Sequence, residues 1–143
     1  MDTAITVDAA NEDKPWMVLV HGMSQDHRIF SAQVEAFRGS HRILLVDLPG
    51  HGGAATVGGP YGHAEFATHV AREMDTHGIR GARFWGTHTG ATVGLVLAAT
   101  RPELMSALLL EGPVVPGRNP PVVAHLIACA RQRLAEDGLQ AAL

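Results

Sequence analysis

The chain has 143 residues, a formal charge of −3 from 11 basic and 14 acidic side chains, and one cysteine, Cys129. That length predicts a single domain over 1–143, and 46% hydrophobic residues suffice for one core. The charge balance excludes nucleic acid as a partner, the lone cysteine excludes an internal disulfide, and no apolar run approaches the ~20 residues of a membrane span.

The opening Met1-Asp2-Thr3-Ala4 lacks the basic stretch of a signal peptide, so the expectation is a cytoplasmic protein with no membrane partner. Ala4 to Val7 reads as a short first strand, and Met17 to Val20 as a buried one. Residues 26–37 read as a helix with Ile29, Phe30, Val34 and Phe37 on one face. Ile43 to Val46 is a strand. Tyr61 to His77 is a helix with Phe66, Val70 and Met74 at four-residue spacing, stopped by Gly78. Ala82 to Trp85 is a strand, residues 90–100 a helix closed by Arg101-Pro102, and Ala107 to Leu110 a further strand. A Pro/Gly loop then runs to Pro121. Residues 122–136 form a last helix with Val123, Leu126, Ile127, Ala130 and Leu134 on one face. Strands that are apolar throughout and alternate with helices predict an α/β fold: a mostly parallel sheet with helices on both faces, in three layers.

Three strand ends carry motifs. The first strand pattern, from Trp16, ends in His21-Gly22-Met23. The next, from Ile43, ends in Asp47-Leu48-Pro49-Gly50-His51-Gly52. The third is Gly86-Thr87-His88-Thr89-Gly90, between a strand and a helix. Its layout is that of a nucleophile elbow, G-x-S-x-G, with His88 at the central position. The central residue of such a turn takes positive φ, and glycines two positions either side remove the clashes of so tight a turn. The following helix points its free N–H groups and positive dipole end at the turn, which makes an anion site. Gly50-His51-Gly52-Gly53-Ala54-Ala55 also fits a loose dinucleotide fingerprint, which works only if a helix starts at once. Loop residues Thr56 to Pro60 follow instead, and the next strand ends in Trp85-Gly86 rather than an acid. A nucleotide site is therefore rejected and no cofactor is expected.

In this order, and with Phe30 a little after His21-Gly22, the three segments resemble the α/β-hydrolase family over residues 15–117. The resemblance implies the family's fold in a truncated form. Members have about eight strands in about 200 residues or more, and their catalytic histidine follows the last strand, beyond the part matched here. It also implies an oxyanion hole built from the backbone N–H groups of Met23 and Thr89. Glu111, at the end of the strand after the elbow helix, stands where some haloalkane dehalogenases place their triad acid; a solvated strand-end carboxylate is the equal alternative.

His88 has two readings. It is a base or nucleophile, neutral enough near pH 7 to act, with Glu111 fixing its tautomer; or it is a drifted elbow that folds but does not react. Ser24, Asp26 and His27 follow the His-Gly loop and are expected to line the same pocket. Ser24 is a conceivable displaced nucleophile without the elbow's enforced exposure. Thr87 and Thr89 are expected to bond within the turn, and His21 and His51 to pack the loops. The remaining histidines form no H-E-x-x-H or other ligand spacing, so no metal is expected. The functional expectation is a hydrolase of a small ester or related carbonyl substrate. The alternative is a non-catalytic homologue or fragment that binds a small molecule or a partner segment. The apolar strand 107–110 lacks the usual edge protection, which predicts association through that edge, such as a homo-oligomer.

Overall fold

The computed structural model describes residues 2–114 together with Ala128 and Gln132; the helix read over 122–136, and Cys129 within it, lie outside them. The strands are β1 (Ala4–Val7), β2 (Trp16–Val20), β3 (Arg42–Val46), β4 (Ala82–Thr87) and β5 (Met105–Glu111). They form one sheet in the order β1-β3-β2-β4-β5. β1 runs antiparallel to β3, and every other pairing is parallel. Helices α1 (Ser31–Phe37), α2 (His63–Thr76) and α3 (Thr89–Thr100) connect the parallel strands. None of the described helices is long and apolar enough to cross a membrane.

The two faces of the sheet are covered unequally. β2 is buried at every position, as expected of a central parallel strand. Val18 and Val20 point to the larger core, where Leu44, Val70, Met74, Phe84 and Leu95 join them beneath α2 and α3. Met17 and Leu19 point to the smaller core with Phe30, Ile43 and Leu45, against α1. α1 is only seven residues long and buries no residue fully, so this second layer is thin.

The helix expected over 26–37 is split. The Asp26 carboxylate accepts the Arg28 N–H and starts a single 3-10 turn over His27–Phe30, after which α1 begins. Local capping by a short acidic side chain competes with a continuous helix. α2 opens at His63 rather than Tyr61, and β4 and β5 each run further than their apolar stretches suggest.

From β2 the chain steps to β3 on one side, then returns across β2 to β4 and β5 on the other. The order of strands thus reverses between β2 and β4. In an open parallel sheet the loops at the carboxyl ends part at such a point and leave a crevice. The loops that part here are those beginning at His21 and at His88.

Several histidines are packed inside. His21, His41 and His69 are all buried. Burial holds the pKa of each below its ordinary value, with the Arg83 guanidinium adding to the effect at His41. Unfolding frees these rings to protonate near pH 6.5, while the folded state keeps them neutral. The unfolded chain therefore binds more protons below that pH. Stability should be full above about pH 6.5 and fall on acidification by up to about 1.4 kcal/mol per pH unit for each ring kept neutral. Urea midpoints measured from pH 7.5 downward check this.

Candidate active site

β4 ends at Thr87 and α3 begins at Thr89, so a single residue makes the turn between them. That residue is His88, at φ 52° and ψ −114°. Positive φ is strained for a residue with a Cβ, and the surroundings impose it. The His88 N–H donates to the Glu111 carbonyl at 2.7 Å, while its own carbonyl accepts from Ala91 at 3.1 Å. A Cβ on Gly86 would lie 2.3 Å from the Gly90 carbonyl oxygen, and one on Gly90 would lie 2.1 Å from that of Val20. Neither position tolerates a side chain while the turn stays where it is. The His88 side chain is exposed at the crest. Its Nδ1 lies 3.4 Å from the Thr89 hydroxyl.

The loop after β2 comes up against this crest. A Cβ on Gly22 would be 2.7 Å from His88 Cβ and 3.0 Å from Gln25 Oε1. The Gly22 N–H donates to that same Gln25 oxygen at 3.1 Å, which folds the loop back on itself. Met23 and Ser24 are exposed at the tip, and Ser24 has φ 62°. Among the described residues, the N–H groups of Met23 and Thr89 make no backbone hydrogen bond. For Thr89 this follows from its place at the first position of α3, where no preceding helical carbonyl is available.

Asp47 organises the neighbouring loops. It is 2% exposed at the end of β3. Its carboxylate accepts from the His27 N–H at 2.7 Å, His27 Nδ1 at 2.8 Å and the Gly53 N–H at 2.7 Å. His21 Nε2 accepts the Leu48 N–H at 3.0 Å, which leaves its Nδ1 to donate to the Gly22 carbonyl at 2.7 Å. That pattern needs the neutral ring, in keeping with its lowered pKa. His51 packs against His21 with ring centroids 5.3 Å apart. Both rings brace the loops. Gly52–Ala54 form one 3-10 turn, and α2 opens only at His63, so no helix N-terminus follows the Gly-rich stretch directly.

The expected site residues are thus brought only partly together. His88, Thr89 and the loop carrying Met23 and Ser24 meet at the crevice. Asp26 is committed to capping its own turn and to an ion pair with Arg28, which holds its carboxyl below the usual range. His27 is tied to Asp47. Glu111 is close to His88 only through its backbone carbonyl. Its carboxylate accepts from Trp85 Nε1 at 3.1 Å, because Glu111 pairs with Thr87 in register and shares a sheet face with Trp85. The expected side-chain bond between His88 and Glu111 is not made. Thr87 Oγ1 is buried without a hydrogen-bond partner among the described residues, so it does not stabilise the turn as expected. Sequence reasoning singled out neither Gln25 nor the part Asp47 plays. The buried-turn motif around Asp47 marked its position, but nothing in the sequence marked its partner 20 residues earlier.

The sequence model described as alpha/beta hydrolase fold matches residues 15–140. The chain belongs to that family. Among curated α/β-hydrolase relatives, it is 33% identical over 100 residues to 2-succinyl-6-hydroxy-2,4-cyclohexadiene-1-carboxylate synthase of Escherichia coli O1:K1, covering 68% of this chain and 38% of that protein. It is 34% identical over 100 residues to pimeloyl-(acyl-carrier protein) methyl ester esterase of Xylella fastidiosa strain 9a5c, covering 67% and 36%. The crystal structure of the enol-lactonase from Burkholderia xenovorans LB400 superposes with a TM-score of 0.68 at 28% identity, covering 73% of this chain and 40% of that one. The chain therefore spans well under half the length of these α/β-hydrolase relatives.

Proposed function

We propose that this α/β-hydrolase protein cleaves a small ester or related carbonyl substrate, with His88 as the base that activates water. The observation that carries this reading is the backbone at His88. It is held at φ 52° between two glycines that cannot be replaced in place, and its side chain is exposed beside the loop after β2. A fold that keeps so strained a residue at a topological switch point presents its side chain for use.

The imidazole accepts a proton from water as the water oxygen attacks the ester carbonyl. The carbonyl electrons move to oxygen, where the N–H groups of Thr89 and Met23 stabilise the charge. Collapse expels the alkoxide, which takes the proton back from His88. The names of two relatives, a methyl ester esterase and an enol-lactonase, favour an ester as the bond broken. Glu111 would assist His88 only after leaving Trp85, which makes His88 the principal group.

The test compares His88→Ala, Ser24→Ala and the unmodified chain on activated short-chain esters. Loss of the base should cost about 100-fold or more in rate, and Ser24→Ala should be near neutral. Equal rates for the unmodified chain and His88→Ala would overturn the catalytic role. A second reading, binding without turnover, draws on the absence of a side-chain bond from Glu111 to His88. It predicts no rate above background, with His88 signals that still shift when a short-chain carboxylate is added.

A further inference from the structure

Gly22 stands where the loop after β2 meets the elbow, and the close approach demands glycine there. A Cβ at this position would sit 2.7 Å from His88 Cβ. Glycine is also the residue with the most freedom in φ and ψ, so the peptides on either side of it wander unless something holds them. Both are held. The Gly22 N–H donates to Gln25 Oε1 at 3.1 Å, across a turn in which Ser24 takes φ 62°. The Gly22 carbonyl accepts from His21 Nδ1 at 2.7 Å. One bond fixes the peptide before Gly22, and the other fixes the peptide after it.

The His21 side of this clamp is itself fixed. The ring is fully buried, and its Nε2 accepts the Leu48 N–H at 3.0 Å. The other tautomer would set an Nε2–H against that N–H and a bare Nδ1 against the Gly22 carbonyl oxygen. The proton therefore stays on Nδ1. The loop after β3, through the Leu48 N–H, thus selects which group His21 offers to the loop after β2.

A trans peptide is planar, and its C=O and N–H point in opposite directions. With the Gly22 carbonyl turned inward onto the buried ring, the Met23 N–H faces outward. We propose that His21 and Gln25 are positioning residues: by clamping Gly22 from both sides they aim the Met23 N–H into the crevice beside His88. This rests on the reading of the crevice as an ester-cleaving site, where Met23 and Thr89 donate to the developing oxyanion. The two donors are held by different means. Thr89 is fixed by α3, whose first residue it is, whereas Met23 depends on two side chains.

That difference gives the test. Acetate is titrated into isotope-labelled protein, and the shift of the Met23 amide is read as a ratio to that of Thr89. In the unmodified chain the two amides should move together. Gln25→Met removes the acceptor for Gly22, and His21→Gln removes the donor while keeping an acceptor for Leu48. Each should lower the ratio about threefold or more, as the aimed orientation becomes one of several. Gln25→Glu keeps the acceptor and His21→Asn keeps the donor, so each should hold the ratio. A ratio is blind to the weaker acetate binding that an added carboxylate causes. Gln25 is exposed, so its variants do not put the fold at risk. On activated esters Gln25→Met should lower kcat about tenfold or more and leave KM nearly unchanged. The acetate ratio needs no turnover, so it stands or falls apart from the role of His88 as base. A Met23 amide that ignores acetate in the unmodified chain, or that tracks Thr89 in Gln25→Met or His21→Gln, overturns the proposal. An unchanged kcat in Gln25→Met, in a chain whose turnover depends on His88, overturns it as well.

Discussion

Gly90→Ala is expected to destabilise the fold by more than about 4 kcal/mol, the range reserved for changes that the backbone cannot absorb. The added methyl would lie 2.1 Å from the Val20 carbonyl oxygen, 2.6 Å from its carbon and 2.7 Å from the His21 oxygen. All three are backbone atoms at the end of a central strand that pairs on both sides. No side chain can swing away to make room. Either α3 lifts off the sheet or β2 loses its pairing with β4, and in both cases the crevice comes apart. Gly39→Ala is the control. Nothing lies within 4 Å of that position, and its φ is not in the left-handed region, so the change should stay within about 0.5 kcal/mol. Urea unfolding of the two variants separates the outcomes. Similar midpoints for both would refute the close approach of α3 to β2.

Asp47→Ala should cost about 3 kcal/mol or more, mostly through donors left without acceptors. Three groups converge on this carboxylate: two N–H groups from different loops and the His27 ring. The site is too buried for water to replace all three. A Cβ on Gly52 would lie 2.3 Å from Asp47 Oδ2, which shows how closely the chain wraps the carboxylate. Asp47→Asn should fall between the variant and the unmodified protein, since its amide nitrogen must face a donor at one of the two oxygen positions. The readout is the urea midpoint at constant slope, with exchange of the His27 and Gly53 amides as a local check. If those amides stay protected in Asp47→Ala, the carboxylate does not hold the loops together.

Much of the sheet was legible in the sequence because its strands are short and mostly apolar, and β2, β3 and β4 run into the His21-Gly22, Asp47-to-Gly52 and Gly86-to-Gly90 motifs. The elbow was legible for a steric reason. Glycines at 86 and 90 flank a one-residue turn, and both meet backbone within 2.3 Å when given a Cβ. What escaped was set by tertiary register. The side chain of Glu111 follows Trp85 because of the β4–β5 pairing, and a strand reading Ala-Leu-Leu-Leu carries no alternation to show which face is which. The Asp47–His27 contact joins residues 20 apart, through a loop whose path depends on Asp26 starting its own turn. The break in the expected helix at Ser31 has the same origin, since apolar spacing alone passes over a local cap.

The elbow separates two requirements that most reactive sites entangle. Its conformation is dictated by what stands around position 88: the flanking glycines, the carbonyls of Val20 and Gly90, and the bond to Glu111. The group on that residue's Cβ is exposed, and among the described residues its ring makes only a 3.4 Å approach to the Thr89 hydroxyl. The fold works there as a fixed socket with an exchangeable fitting. Serine, cysteine or aspartate could be seated at 88 without reshaping the loops, and so could an unnatural imidazole of altered basicity. Chemical identity at this position is thus free to drift or to be redesigned while the architecture stays constant, which makes position 88 the natural entry point for engineering new reactivity into this chain.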